Sequence, residues 1–239
     1  MMRRNNFPFS AVLGLNHAKT AILVVLVNPR AGGLLISGPQ GIGKSTLMRS
    51  TQELIERPWR DIPVSVTEDR LFGTIDTEKA IYSGQKKLYP GIINEADQGV
   101  LYLDDANLLR EDLLDSILNI AEVGAYQLER DGLSLRCDTS FTVIAAINPE
   151  SGMLSGACLD QFGLFVNVDN THDENTRVEI LKRTISFEKD CASFCNLWKL
   201  ENEKIKKAIH SAKSLLPKVV VSSAMIQLAS VYALKAHVS

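Results

Sequence analysis

The sequence predicts an α/β fold: a mainly parallel, five-stranded sheet with helices on both faces, followed by a partial helical appendage. Five short apolar segments have the length and composition of buried strands. Segments with apolar residues at helical spacing alternate with these strands, which is typical of a parallel sheet in a layered fold. After Asp173 the strand pattern stops, and only helical segments follow.

The five strands are predicted from apolar runs that end at glycine, proline or polar residues. They are residues 33–37, 62–66, 99–103, 141–147 and 164–168. A further hairpin is predicted over residues 124–138, because apolar and polar residues alternate there around Asp131-Gly132, a dipeptide typical of two-residue turns.

The helices are predicted from apolar residues spaced three and four apart, with proline marking several ends. They are residues 17–27, 44–57, 108–123, 174–187, 192–216 and 222–236, and residues 67–97 are predicted to be irregular. We expect two domains, an α/β domain over residues 1–188 and a helical domain over residues 189–239.

Composition excludes several classes of function. The chain has 26 Lys and Arg against 28 Asp and Glu, so no strong overall field favours nucleic acid or an anionic membrane. The apolar run over residues 21–27 is far shorter than the roughly 20 residues of a membrane span. We therefore expect a cytoplasmic protein with no nucleic-acid partner and no membrane span.

The cysteines and histidines predict no metal site. Cys137, Cys158, Cys191 and Cys195 lack zinc-ligand spacing. We expect them to be reduced thiols, buried or incidental. The histidines are far apart in sequence and are assigned no role: His17, His172, His210 and His237.

A phosphate-binding loop is the sharpest motif in the chain. It fits G-x-x-x-x-G-K-[ST] between a predicted strand and a predicted helix and consists of Gly38, Pro39, Gln40, Gly41, Ile42, Gly43, Lys44 and Ser45. Backbone N–H groups of such a loop surround phosphate oxygens, and the helix N-terminus adds partial positive charge. We expect Lys44 to contact the β- and γ-phosphates, Ser45 to bind Mg²⁺, and Thr46 to belong to the same ATP-binding set.

Polar residues at the ends of two other strands predict the rest of the site. Asp104 follows the strand over residues 99–103 and is expected at the magnesium ion, while Asp105 would orient or deprotonate the attacking water. Asn148 follows the strand over residues 141–147, where its amide could sense the γ-phosphate or the water. Lys44, Asp105 and Asn148 are therefore the predicted catalytic residues.

The chain resembles the AAA+ ATPase subunits of magnesium chelatase, the I-type subunit and its relatives for cobalt insertion. The resemblance covers about residues 7–190 and rests on runs that occur in family order. Besides the phosphate loop, these are residues 7–14 (FPFSAVLG), 67–76 (TEDRLFGTID), 90–96 (PGIINEA), 99–109, 148–152 (NPESG) and 159–163 (LDQFG).

This resemblance implies a P-loop AAA+ three-layer sandwich with a helical lid. It implies an insertion around residues 70–96 and assembly into a homo- or hetero-oligomeric AAA+ ring, expected to be hexameric. The implied partners are the chelatase D-type subunit and the large catalytic subunit, which inserts a divalent ion into a tetrapyrrole while this chain turns over ATP.

Departures from the family pattern concern activity. Many ATPases with such a loop have glutamate where this chain has Asp105, and the family pattern has arginines where this chain has Ser155 and Gln161. Such an arginine reaches the neighbouring subunit's site and can be worth about 10³–10⁵ in turnover. The family's lid arginine belongs in a Gly-His-Arg segment expected just beyond Ser239, so we expect an incomplete lid.

Three functions stay open on the sequence alone. The first is a motor ATPase of a magnesium-chelatase-like complex, weak by itself. The second is a structural ring subunit that binds nucleotide without useful turnover, to which Asp105, Ser155 and Gln161 point. The third is a MoxR-like ATPase that remodels a protein client, which the extended match over residues 67–76 disfavours. The metal and the macrocycle are not specified by the sequence.

Overall fold

The secondary structure is taken from a computed structural model that describes residues 6–75, 88–130, 133–169 and 173–236. The strands are β1 (Leu34–Ser37), β2 (Trp59–Ile62), β3 (Gly73–Ile75), β4 (Leu88–Pro90), β5 (Val100–Leu103), β6 (Ala125–Arg130), β7 (Leu133–Asp138), β8 (Thr142–Ile147) and β9 (Leu164–Asn167).

The α-helices are numbered over the same described residues. They are α1 (Asn16–Val27), α2 (Lys44–Thr51), α3 (Glu68–Phe72), α4 (Ile92–Glu95), α5 (Glu111–Val123), α6 (Gly156–Asp160), α7 (Glu174–Lys189), α8 (Cys191–Leu215) and α9 (Ser223–Ala236). Short 3-10 helices span Phe9–Ala11, Pro29–Ala31, Gln52–Leu54, Ala106–Leu108, Pro149–Ser151 and Leu216–Lys218.

The central sheet has five strands in the order β2-β5-β8-β1-β9, and every neighbouring pair is parallel. The predicted five-stranded parallel sheet is therefore confirmed. Every residue of β1, β5 and β8 is buried, because helices cover both faces of these strands. Their carboxyl ends meet at one edge, where a parallel α/β sheet places its ligands.

Alternate residues of each inner strand enter different hydrophobic cores. In β5, Leu101 and Leu103 belong to a core formed with α4 and α5. Val100 and Tyr102 belong to a second core formed with α1 and α2. The alternation follows from the period of two along a strand. It gives three layers, with the sheet between two sets of helices.

The strand predicted over residues 62–66 was wrong in its position. β2 is Trp59–Ile62, and Ile62 pairs with Leu103. It is an edge strand in which Arg60 and Asp61 are exposed, so it lacks the apolar run that marks buried strands. Val66 is buried in the turn that follows, where its N–H bonds to the Pro63 carbonyl at 3.0 Å.

The segment predicted to be irregular contains regular elements. Within residues 67–97 the structure has α3, an antiparallel pair formed by β3 and β4, and α4. Helix α2 ends at Thr51, earlier than the predicted residue 57, and a 3-10 helix follows. The predicted hairpin is present as the antiparallel pair β6 and β7. Its turn, Asp131-Gly132, lies outside the described residues.

Helices α7 and α8 pack against the N-terminal segment of residues 7–12. The Ser10 N–H donates to Asn202 Oδ1 at 3.0 Å, and Asn202 Nδ2 donates to Glu53 Oε2 at 3.3 Å. The ring of Phe7 lies 5.2 Å from those of Phe187 and Phe194. These contacts join the first residues of the described chain to its helical part.

Helix α9 follows a loop over residues 219–222 and exposes its large apolar side chains. Among the described residues, no single helix is long and apolar enough to cross a membrane. Residues 191–218 and 223–235 meet that length and composition only as a pair, and the pair is bent by 103°.

Candidate functional site

The phosphate loop joins β1 to α2 at the carboxyl edge of the sheet. Gly41 and Gly43 have φ angles of 82° and 94°, a left-handed backbone that favours glycine. The Gly38 N–H donates to the Ile147 carbonyl at 3.2 Å, which ties the loop to the end of β8. The loop is thereby held over the first turn of α2.

A cavity of about 430 Å³ lies at this edge. It is lined by Gln40, Gly41, Gly43, Lys44, Ser45, Thr46, Asp104, Asp105, Leu108, Asn148 and Ser151. The structure thus brings together residues from the loop and from the ends of β5 and β8. Gly38, Pro39 and Ile42 of the predicted set do not line it. Pro39 instead supplies a carbonyl to Lys44, and Ile42 packs against the α1 and α2 core.

Lys44 is folded back onto the loop. Its Nζ donates to the carbonyls of Gly38 at 2.6 Å and Pro39 at 2.9 Å, and the residue is only 7% exposed. Burial lowers its pKa, while the carboxylates of Asp105, Asp104 and Glu150 act in the opposite direction. The loop carbonyls occupy two of the three ammonium hydrogens, so an incoming phosphate competes with them.

Ser45 and Asp104 form the part of the cavity that suits a magnesium ion. The Ser45 hydroxyl donates to Asp104 Oδ1 at 3.2 Å. Hydroxyl and carboxylate oxygens are hard ligands of the kind that Mg²⁺ prefers, and Mg²⁺ usually takes only one or two protein ligands beside phosphate and water. The donor set of these two residues therefore fits Mg²⁺ bound together with a triphosphate.

Asp105 lies directly beyond the strand, on the cavity wall, and is exposed. Its backbone is left-handed, with φ 50° and ψ 49°. Of the three carboxylates that act on the Lys44 pKa, it acts most strongly. Its position permits contact with a water molecule in front of a bound γ-phosphate.

The Asn148 side chain is largely buried and bonded within its own loop. Its Oδ1 accepts from the Glu150 N–H at 3.2 Å, and its Nδ2 donates to Ser151 Oγ at 3.3 Å. Asn148 lines the cavity together with Ser151. One amide hydrogen remains for a ligand, because Ser151 takes only one of the two.

Asn107 was not predicted from the sequence. Its Nδ2 donates to the Asn148 carbonyl at 3.2 Å and to the Gly152 carbonyl at 3.0 Å, so it ties the loop after β5 to the loop after β8. Asparagine is common in loops, and its residue type therefore gave no signal for this role.

Tyr102 was also missed. It is 2% exposed, and its hydroxyl has no hydrogen-bond partner among the described residues. Burial, and after it the neighbouring Asp104 carboxylate, raises the pKa of the Tyr102 phenol. The available signal was a hydroxyl in an otherwise apolar strand, two residues before Asp104 and therefore on the same face.

Ser155 and Gln161 flank helix α6 and do not line the cavity. Ser155 caps the helix, since its Oγ accepts from the Cys158 N–H at 3.3 Å. Gln161 Nε2 contacts the Ala157 carbonyl at 3.5 Å. In this chain both positions carry uncharged side chains outside the subunit's own site.

The cysteines and the two described histidines stay apart from the cavity. None of the thiols is in a disulfide, and no group of three or more His, Cys, Asp or Glu side chains that could hold a metal occurs in the described ranges. His17 and His210 are exposed, while His172 and His237 lie outside the described residues.

Comparison with known proteins finds similarity to an AAA domain family and to subunits of magnesium chelatase. The family described as "AAA domain (dynein-related subfamily)" matches residues 33–161. The magnesium-chelatase 38 kDa subunit of Rhodobacter capsulatus is 35% identical, with 89% of this chain and 70% of that protein covered. The magnesium-chelatase subunit ChlI of Synechocystis is 32% identical, with 92% and 72% covered.

A homologue from an archaeon and a solved structure extend the comparison. The magnesium-chelatase subunit ChlI homolog of Methanocaldococcus jannaschii is 32% identical over 96% of this chain and 73% of that protein. A chain in a structure of the complex between magnesium-chelatase subunits BchI and BchD, from a cryo-EM reconstruction at 7.5 Å, superimposes with a TM-score of 0.66. It is 35% identical, with 90% of this chain and 77% of that chain covered.

Proposed function

Because this chain belongs to the AAA family of magnesium-chelatase I-type subunits, we propose that it binds and hydrolyses ATP to drive metal insertion by a partner subunit. The observation that supports this most directly is the cavity at the carboxyl edge of the sheet. There Lys44, Ser45, Asp104, Asp105 and Asn148 converge from three separate chain segments.

The proposed chemistry assigns one task to each side chain. Lys44 leaves the loop carbonyls and binds the β- and γ-phosphates, while Ser45 and Asp104 hold Mg²⁺. Asp105 orients a water molecule and takes its proton as the water oxygen bonds to the γ-phosphorus and the bond to the ADP oxygen breaks. The Asn148 amide contacts the γ-phosphate. When bound, Mg²⁺ supplies positive charge that stabilises the triphosphate and the transition state.

The proposed setting is an oligomeric AAA+ ring in the cytoplasm. The D-type subunit and a large catalytic subunit are the proposed partners, in line with the BchI and BchD complex named in the structural comparison. We further propose that residues 1–188 form the nucleotide-binding domain and residues 189–239 the helical lid. The break at Asp190, between α7 and α8, supports that boundary.

The test compares Lys44→Ala with Lys204→Ala, which removes an exposed lysine paired only with Glu201 within the described residues. Phosphate release and metal insertion into a porphyrin are measured after each protein is mixed with D-type and large subunits. We expect Lys44→Ala to lose ATP turnover and insertion, and Lys204→Ala to retain both. Turnover by Lys44→Ala at the parent rate would refute the proposed site, and insertion that does not need this chain would refute the proposed role.

A second candidate function is supported by Ser155 and Gln161. Because both are uncharged and lie outside the subunit's own cavity, a homo-oligomer of this chain has no arginine at either position to complete a neighbouring site. The chain would then be a nucleotide-binding structural subunit, and its hydrolysis would depend on arginines supplied by a different subunit. Tight ATP binding without turnover at any protein concentration would favour this function.

A further inference from the structure

The hydroxyl of Tyr102, two residues before the cavity residue Asp104, is buried without a hydrogen-bond partner among the described residues. The residue is 2% exposed, and its oxygen makes no hydrogen bond within the described part of the chain. The ring is packed beside that of Trp59, with 5.8 Å between centroids. Burying a hydroxyl without a partner destabilises a fold, and phenylalanine would fill the same space without that cost.

The position of this hydroxyl relates it to the magnesium ligands. Tyr102 and Asp104 are two residues apart at the end of β5, so their side chains lie on the same face. The Asp104 carboxylate already accepts from Ser45 at 3.2 Å, which uses one of its several acceptor sites. The phenol is a neutral donor at physiological pH, and the Asp104 carboxylate, an acceptor, is close enough to act on it.

We propose that Tyr102 is a positioning residue of the magnesium site, whose hydroxyl donates to the Asp104 carboxylate when the site is loaded. Hydrogen bonds from Ser45 and Tyr102 would then hold the Asp104 carboxylate in one orientation, in which its remaining lone pairs face the ion. Hydrogen bonds to a metal-binding carboxylate set its orientation, and their loss commonly weakens metal affinity 10- to 100-fold. This inference rests on the proposed function, since it needs a nucleotide-linked Mg²⁺ site.

Tyr102→Phe removes only the hydroxyl. A fluorescent ATP analogue is titrated into parent and variant without divalent ion, and Mg²⁺ is then titrated at a fixed analogue concentration. We expect about a tenfold higher Mg²⁺ concentration for half-saturation in the variant. Affinity without Mg²⁺ should stay within about twofold of the parent, and the thermal midpoint without ligand should be equal or higher.

Tyr126→Phe is the matched control. The Tyr126 hydroxyl oxygen lies 2.7 Å from both the Phe72 carbonyl oxygen and Asn94 Oδ1, away from the cavity, and donates its one hydrogen to one of these two acceptors. Its loss should lower the thermal midpoint and leave the Mg²⁺ requirement unchanged. In an Asp104→Ala background, Tyr102→Phe should add no further change, because its effect acts through that carboxylate.

The outcomes separate this inference from the proposed function. An unchanged Mg²⁺ requirement in Tyr102→Phe overturns the inference that Tyr102 positions Asp104. An equal loss of nucleotide affinity with and without Mg²⁺ also overturns it, because it would show that Tyr102 has only a packing role. A further shift on top of Asp104→Ala also overturns it. If the parent itself shows no Mg²⁺-dependent nucleotide binding, the proposed function fails first and this inference fails with it.

Discussion

Asp105 combines two demands at a single residue. Its backbone is left-handed, a conformation that aspartate tolerates better than most residues because its short polar side chain can bond locally. In the proposed mechanism its carboxylate must also reach a water in front of the nucleotide, and glutamate would have one more methylene for this. Aspartate at position 105 therefore suits the left-handed backbone better than glutamate would, but its carboxylate extends less far into the cavity.

Asp105→Glu tests this compromise. We expect turnover to rise about ten- to a hundredfold, because an error of about 1 Å in a catalytic group can cost about a hundredfold. The free energy of unfolding should fall by about 0.5–1 kcal/mol from added backbone strain. Phosphate release and urea denaturation measure the two effects, with Asp105→Asn as the control that removes the base. Slower turnover in Asp105→Glu would show that aspartate already has the correct reach.

Site residues were predicted from sequence where a residue type has a fixed offset from a strand end. Residues 38–45, Asp104, Asp105 and Asn148 were predicted in this way, and all of them except Gly38, Pro39 and Ile42 line one cavity at the edge of the sheet. Tyr102 and Asn107 were missed because their roles depend on contacts across the sheet edge. The Asn107 amide bonds to carbonyls more than 40 residues away, and no local pattern encodes such a contact.

Asn202 is a buried polar residue through which helix α8 contacts the α/β part, beside apolar contacts of the same helix. Asn202 is 6% exposed. It connects the backbone of Ser10 with the carboxylate of Glu53, so two distant segments meet at one side chain. Burial has the largest effect on the Glu53 carboxyl and raises its pKa. The charge of Lys206 and the hydrogen bond from Asn202 lower the pKa and so oppose this effect. The amide thus compensates part of the cost of burying this carboxylate.

Asn202→Ala is expected to lower the free energy of unfolding by about 1–2 kcal/mol, because it leaves the partly buried Ser10 N–H and Glu53 carboxylate without their partner. Urea denaturation gives the change. Leu200→Ala lies on the same helix at a side chain that is 75% exposed, and should change stability by less than about 0.5 kcal/mol. Equal effects of the two substitutions would show that Asn202 does not hold the helix.

Strands were predicted from runs of apolar residues. This worked for strands that are buried on both faces and failed for the edge strand β2, which is partly exposed. The inner strands β1, β5 and β8 are buried on both faces, and their apolar runs located them within one or two residues. The edge strand β2 has polar residues in the middle, and the apolar run that follows it marks a turn instead. The short elements within residues 67–97 depend on tertiary packing, since a two-stranded ladder of three residue pairs is at most marginally stable by itself.

At the scale of the whole molecule, the question is how neighbouring subunits complete each other. The family resemblance implies that arginines at positions 155 and 161 act on the next subunit's nucleotide, and these two positions flank α6. Position 155 is less suited to an added arginine, because Ser155 caps α6 and its loss would cost about 1 kcal/mol. Gln161 caps the end of α6 only through its backbone N–H, which any residue but proline supplies, and its side chain makes one long contact with the Ala157 carbonyl. It is therefore the better position for restoring a charge.

Gln161→Arg is expected to raise ATP turnover at least tenfold, toward the 10³-fold that such arginines supply elsewhere. The gain should grow with protein concentration, because the arginine acts on a neighbouring copy. Phosphate release across a dilution series measures this, and Gln161→Ala is the control for loss of the amide. A gain that does not depend on concentration would place the arginine in its own subunit's site, contrary to this expectation.

The strand order has a consequence for how the molecule is made. β1 lies between β8 and β9, yet more than a hundred residues separate it from β8 along the chain. A ribosome adds about 5–20 residues per second, so β1 waits on the order of ten seconds with both edges unpaired. Open apolar strand edges are templates for wrong pairing. The strand that supports the phosphate loop in the finished protein is thus the one most exposed to mispairing during synthesis.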